Sequence, residues 1–409
     1  MSQADSSYID AFERYRQSRP GPSSKLFHPN IILLILLLIA VGIWTEAGPS
    51  VVGGRVFGMS IKKTARFPDG LLTVVQLDVG QGDGTFIHTP GGYNVLIDCG
   101  EGDHPENEHS SQYPATKYVV RPFLEAHQIY DIDMIVLTHP DSDHGGGLAD
   151  LIDWIYERGG SVGKVVDCGV GKAARFYQDF LAAVERHQNI KFYTIIEPKT
   201  GEPAVYPELG GTLIGKDLLG DPTISYQFLG PLKRTGSASG DQSNNNSIAS
   251  RIQCGDYVFL MAGDAEGEEE ELLVTYWGDR LKATVCFPPH HGSKTSDEPN
   301  WLRMVNPEIM STSSHPPVYG HPAADAVASW KRYINPKPKY LLHTYLNGDI
   351  WYRTDGHKLA IRTQFDVKSD EEQWKPGSRG EWSNYRRFEP NDPTIWSECI
   401  PVPGTDNFE

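Results

Sequence analysis

A chain of 409 residues has room for one large domain or two medium ones, and its formal charge of −16 at pH 7 excludes adhesion to nucleic acid or anionic lipid through a generally basic surface. A local metal site on such a chain can still bind phosphate. The 41 glycines and 29 prolines suit a loop-rich globular protein rather than disorder. Cys99, Cys168, Cys254, Cys286 and Cys399 show no C-x-x-C spacing, so they read as buried thiols and not as a zinc knuckle or a disulfide framework.

Residues 1–30 form a polar tail in which Arg14, Arg16, Arg19 and Lys25 mix with Asp5, Asp10 and Glu13. Residues 31–44 are an unbroken apolar run, and the flanking positions bring it close to the ~20 residues that cross a hydrocarbon core of ~30 Å. The run is apolar on every face, which disfavours a core helix. The long polar lead and the absence of a small-residue cleavage site disfavour a signal peptide. The expectation is a single-pass transmembrane helix over residues 31–51, with the lipid bilayer as its partner. A slight excess of Lys and Arg before the span puts the tail in the cytoplasm and the large body on the extracytoplasmic side.

From Leu72 the pattern turns to β-structure. Runs at 72–79, 85–88 and 94–98 read as a meander, with the turn G-Q-G-D-G between the first two. Asp83 and Asp98 stand at strand ends, where each can either stabilise its own turn or orient metal ligands from behind. Residues 101–116 form a polar loop in which His104 and His109 are expected to be solvated. A helix over 118–127 precedes the apolar strand at 134–137, which leads straight into T-H-P-D-S-D-H-G-G-G at 138–147. His139, Asp141, Asp143 and His144 place four donors in one short loop, and the spacing H-x-D-x-D-H lets them converge on one or two ions of zinc, manganese or iron. The glycines allow a sharp turn into the next helix, 148–156. A strand at 162–170 and a helix at 173–187 continue the alternation of an α/β layered fold.

After a turn-rich stretch come N-N-N-S at 244–247, strands at 248–253 and 257–261, and G-D-A at 263–265. Asp264 has two oxygens at a strand end and suits the bridge between two metals; its other possible role is to cap the helix 266–276, whose glutamates read as a solvated face. A strand at 284–287 runs into P-P-H-H-G-S-K-T-S. His290, His291 and Lys294 in that turn can supply a ligand, a proton donor and a contact to phosphate oxygens. One more strand, 309–312, is followed by Y-G-H-P, which makes His321 a candidate last ligand.

Taken in this order, these motifs, with V-G-Q-G-D-G at 79–84 and I-D-C-G at 97–100, resemble the ComEC-like branch of the metallo-β-lactamase-fold hydrolases, the hydrolase domain associated with competence DNA uptake. The likeness covers residues 72–365, and a Trp-rich C-terminal extension, 366–409, lies beyond it. The resemblance implies an αββα metallo-β-lactamase sandwich with one or two divalent metal ions, zinc or manganese, at its edge. His139 and Asp141 would hold one ion, Asp143 and His144 the other, with Asp264 between them. Asp141 stands where the wider superfamily often carries a histidine, and its harder oxygen favours manganese or iron alongside zinc. The superfamily's middle histidine has no counterpart here; residues 244–247 occupy that region. The last ligand is either His291 or His321. The expectation is His321, with Asp143, His290, His291 and Lys294 meeting the scissile phosphate or leaving oxygen. The implied activity is metal-dependent hydrolysis of phosphodiesters, without strong nucleic-acid binding. Hydrolysis of carboxylic esters or lactones, or a non-catalytic binding module with a decayed metal site, are the alternatives.

Overall fold

The computed structural model describes residues 67–103, 114–236, 243–315 and 319–364, together with the strand residues 55–56, 59–60 and 400–401. The polar tail, the expected anchor and His104 and His109 lie outside the described residues, as does most of the C-terminal extension. Among the described residues, no helix is long and apolar enough to cross a membrane.

A short antiparallel pair, β1 (Arg55–Val56) and β2 (Met59–Ser60), precedes two mixed sheets. The larger sheet runs in the order β17 (Ile400–Pro401), β16 (Leu359–Thr363), β15 (Ile350–Thr354), β3 (Leu72–Gln76), β4 (Thr85–His88), β5 (Asn94–Ile97), β6 (Asp131–Leu137), β7 (Ser161–Asp167) and β8 (Lys191–Thr194). Its pairings are antiparallel as far as β5 and parallel from β5 to β8. The smaller sheet runs β14 (Tyr340–His343), β13 (Ile309–Thr312), β12 (Val285–Phe287), β11 (Tyr257–Met261), β10 (Ser250–Cys254) and β9 (Ser225–Phe228). Here β11 to β14 are parallel and β9 to β11 antiparallel.

Side-chain alternation explains why these strands stack in layers. On β3 and β6, Val74, Met134 and Val136 join Phe259, Met261 and Val285 in a cluster between the sheets. Their neighbours Val75, Ile135 and Leu137 join Leu151, Ile155 and Phe180 from the helices Leu148–Glu157 and Arg175–Arg186. On β11, Val258 and Leu260 pack outward against Leu273, Trp301 and Trp330 from three further helices. Both faces of the central strands are therefore covered, which is why they read as continuous apolar runs. A one-residue slip would exchange the two faces of a strand, so the register is strongly held. The result is helix, sheet, sheet, helix. Cys99, Cys168, Cys254 and Cys286 are free and buried within these layers.

One expectation is corrected. The helix Gly267–Trp277 does not present all its glutamates to solvent: Glu268 and Glu271 are exposed, but Glu269 and Glu270 are buried. They turn inward because neighbouring loops bring backbone amides that need acceptors. Glu269 accepts from Ser247 N at 3.1 Å, and Glu270 accepts from Asp297 N at 2.7 Å and Glu298 N at 2.8 Å. Asp297 is itself buried and accepts from Trp330 Nε1 at 2.8 Å. This acid pair fixes the loop that follows the paired histidines.

Burial pushes the Asp297 carboxyl up to about 7 from 3.8, and burial followed by the nearby Asp297 also raises Glu270. Between those two values the folded chain keeps a proton that the unfolded chain has released, so stability falls as pH rises through this window. Thermal melts between pH 5 and pH 8 should show that decline, and Asp297→Asn, which keeps an acceptor for Trp330 and cannot ionise, should make it shallower, with Glu270 supplying what remains.

Candidate metal centre

Both sheets deliver their chemistry at strand ends. His139 follows β6, Asp264 follows β11, the His290–His291 pair follows β12, and His321 comes after β13. Asp83 and Asp98 follow β3 and β5. The loops touch closely. Asp83 N donates to Asp143 O at 3.1 Å, and at Gly82, with φ +126°, an added Cβ would lie 2.0 Å from that same carbonyl, so only glycine permits this approach. The N-N-N-S segment builds the Asp264 loop: Asn245 Oδ1 accepts from Glu266 N and Glu269 N, each at 3.2 Å, and Ser247 Oγ accepts from Asp264 N at 3.0 Å.

Asp264 is the convergence point. Its Oδ1 lies 3.2 Å from His144 Nε2 and 3.5 Å from His291 Nε2, while its Oδ2 lies 3.8 Å from His139 Nε2 and 3.7 Å from His290 Nε2. Asp143 Oδ2 is 3.5 Å from His291 Nε2, and Asp141 Oδ2 is 4.0 Å from His139 Nε2. Asp83, His144, Asp264 and His291 each bring one donor atom within 4.8 Å of the others. Of the two histidines between which the sequence divides the last ligand position, the fold brings His291 into this ring. His321 stacks beside it at 6.2 Å between ring centres, and 5.6 Å from His290. Lys294 is exposed in the same turn as the paired histidines.

The two aspartates expected to act from behind engage imidazole nitrogens. Asp98 is fully buried; its Oδ2 lies 2.8 Å from His144 Nδ1, and its two oxygens accept from Thr138 N at 2.8 Å and Thr138 Oγ1 at 2.6 Å. Asp83 Oδ1 is 3.4 Å from His291 Nδ1, which makes no hydrogen bond, and Asp83 belongs to the ring of donors. Three participants escaped the sequence reading. Lys172 Nζ and Ser243 Oγ each donate to Asp141 Oδ1 at 2.7 Å, and Glu266 Oε1 lies 3.2 Å from His290 Nδ1. Only Glu266, two positions beyond Asp264, carried a local signal; the other two come from loops far along the chain.

Electrostatics bind the group together. Burial opposes charge on His144 and His291, yet Asp264 with Asp98 and Asp143 raises the first well above the ordinary imidazole value, and Asp264 with Asp83 does the same for the second. Burial likewise opposes charge on Asp264 and Asp143, but His291 and His144 hold Asp264, and His144 and His291 hold Asp143, well below the usual carboxylate range. For His139, burial and then the neighbouring His144 lower the pKa; for His321, burial, His291 and His290 lower it to about 4.

Such a set fits a divalent cation. His139 Nε2, His144 Nε2, His291 Nε2 and Asp264 Oδ1 are buried and aligned for no hydrogen bond, which folded proteins rarely leave uncompensated. Mixed imidazole and carboxylate donors suit zinc and manganese alike.

Fold and centre together define a protein of the metallo-β-lactamase fold. The chain belongs to the metallo-beta-lactamase superfamily, whose pattern matches residues 77–344. It is 26% identical over 286 residues to competence protein ComA of Neisseria gonorrhoeae, covering 70% of this chain and 33% of that protein. It is 25% identical over 296 residues to ComE operon protein 3 of Bacillus subtilis, covering 68% and 33%. The chain thus spans about a third of the length of these curated relatives. Among solved structures, the metallo-beta-lactamase fold protein YhfI from Bacillus subtilis aligns with 66% of this chain and 95% of its own at 12% identity, with a TM-score of 0.37.

Replacing Asp98 by Asn removes the carboxylate behind His144 while keeping its size. Because partners of ligating histidines set ring orientation and basicity, metal affinity measured by competition with a chelator should fall about 10–100-fold.

Proposed function

We propose that this chain is a metal-dependent hydrolase of phosphodiester bonds, tethered to a membrane by residues 31–51 with its catalytic body on the extracytoplasmic side. One observation carries the reading: buried imidazole and carboxylate atoms without hydrogen-bond partners converge on Asp264. A merely structural body gains nothing from that arrangement, and the intact donor ring favours turnover over a decayed binding module. The apolar run of residues 31–44 supports the tether.

Zinc or manganese held here would supply a Lewis acid and an activated water near neutral pH. The protein's own residues do the remaining work. Asp264 stands between the two pairs of histidines, and Asp143 reaches the same space through its contact with His291. Asp98 fixes the ring of His144, and Asp83 lies 3.4 Å from that of His291. Lys172 is partly exposed beside Asp141 and Lys294 is exposed beyond the paired histidines, so each can offer an ammonium to a phosphate oxygen. The acidic balance favours compact phosphodiesters, such as nucleotides, lipid headgroups or cell-wall linkages, over a long strand that needs a basic track.

The test is turnover of bis-p-nitrophenyl phosphate against p-nitrophenyl acetate, with zinc or manganese added and then chelated. Phosphodiester cleavage that requires the metal and falls about 100-fold or more in Asp264→Asn is expected. A metal-loaded chain that cleaves the acetate ester and leaves the phosphodiester intact would reverse the assignment. For the tether, the full chain should remain with the bilayer after alkaline carbonate extraction, and a chain lacking residues 1–51 should not.

A further inference from the structure

We infer that His290 is a metal ligand that takes the place of the superfamily's missing middle histidine, so that the His290–His291 dipeptide serves two cations, one on each oxygen of Asp264. The inference rests on the proposed metal centre and deepens it. Around Oδ1 stand His144, His291 and, through its contact with His291, Asp143. Around Oδ2 stand His139 at 3.8 Å, His290 at 3.7 Å and, 4.0 Å from His139, the free oxygen of Asp141. Two donors bonded to one zinc ion at ~2.0–2.2 Å can lie at most about 4.4 Å apart, and the separations of His139 and His290 from Asp264 Oδ2, and of Asp141 from His139, are within that span.

The way each ring is held carries the assignment further. A ligating histidine usually turns one nitrogen to the metal and places the other on a carboxylate or carbonyl. His144 does so with Asp98 at 2.8 Å, while His291 Nδ1 has Asp83 3.4 Å away without a hydrogen bond. His290 repeats the pattern: its Nδ1 is 3.2 Å from Glu266 Oε1, Thr295 Oγ1 donates to that same oxygen at 2.9 Å, and its Nε2 faces Asp264. His290 is thus presented as His144 is, with one nitrogen beside a carboxylate and the other toward Asp264.

Backbone geometry explains how adjacent residues reach two sites. His290 and His291 are both left-handed, with φ of 50° and 55°, a conformation that non-glycine residues adopt seldom and that surrounding structure must impose. It splays the rings to 70° with centres 6.1 Å apart, one toward each oxygen of Asp264. On the other flank, Lys172 and Ser243 occupy Asp141 Oδ1, leaving Oδ2 as its donor. The ammonium so close by makes this second site the weaker of the two.

Manganese titration of the full chain, followed by metal analysis and electron paramagnetic resonance, tests this. Wild type should bind two equivalents with unequal affinity and show a spin-coupled pair. The variant His290→Asn, whose short side chain tolerates the left-handed backbone, should bind one equivalent without the coupled signal; His321→Ala should still bind two. Glu266→Gln should weaken only the second equivalent, by about 10–100-fold. Two equivalents in His290→Asn, or a single equivalent in wild type, would refute this inference and leave the hydrolase reading intact. A wild-type chain that binds no metal at all would remove both.

Discussion

A carboxylate buried at the edge of two packed sheets must be compensated, and the arrangement of this protein follows from how Asp264 is compensated. Taking a charge out of water costs several kcal/mol unless partners of opposite charge or a cation replace the solvent. Asp264 is 4% exposed and has four imidazoles within 4 Å, contributed by loops after strands of both sheets. The sandwich is therefore closed at this end by electrostatics as well as by apolar packing. Neither sheet alone carries enough of the set to hold it.

The loops that bring these groups together are tied down by backbone amides finding acceptors. Asn245 and Ser247 fix the Asp264 loop, Asp98 fixes the end of β6 through Thr138, and Glu270 with Asp297 fixes the chain after the paired histidines. Each anchor is a polar side chain tucked under a turn, half-buried at Asn245 and buried at the others. Precision at the centre thus comes from hydrogen bonds in the supporting layer, while the apolar clusters between and outside the sheets supply most of the driving force for folding.

Much of this was legible in the sequence where one physical signal dominates. Doubly covered strands announce themselves as apolar runs, and a dense H-x-D-x-D-H after such a run marks a metal loop. The burial of Glu269 and Glu270 was not legible, because their partners are amides of residues 247, 297 and 298 that only the folded chain brings near. Lys172 and Ser243 were invisible for the same reason: their meeting with Asp141 spans loops 31 and 102 positions away. Residues 290 and 291 were found as donors, but which way each ring turns depends on a left-handed backbone that their residue types do not favour.

The buried cysteines have a practical consequence. Burial first, and the nearby acidic groups after it, push the thiols of Cys99, Cys168, Cys254 and Cys286 upward, Cys99 to about 12. Little nucleophilic sulfur is then offered to dyes or oxidants while the layers stay packed. Alkylation of these four positions becomes a clock for the opening of the sandwich, read residue by residue with a mass spectrometer.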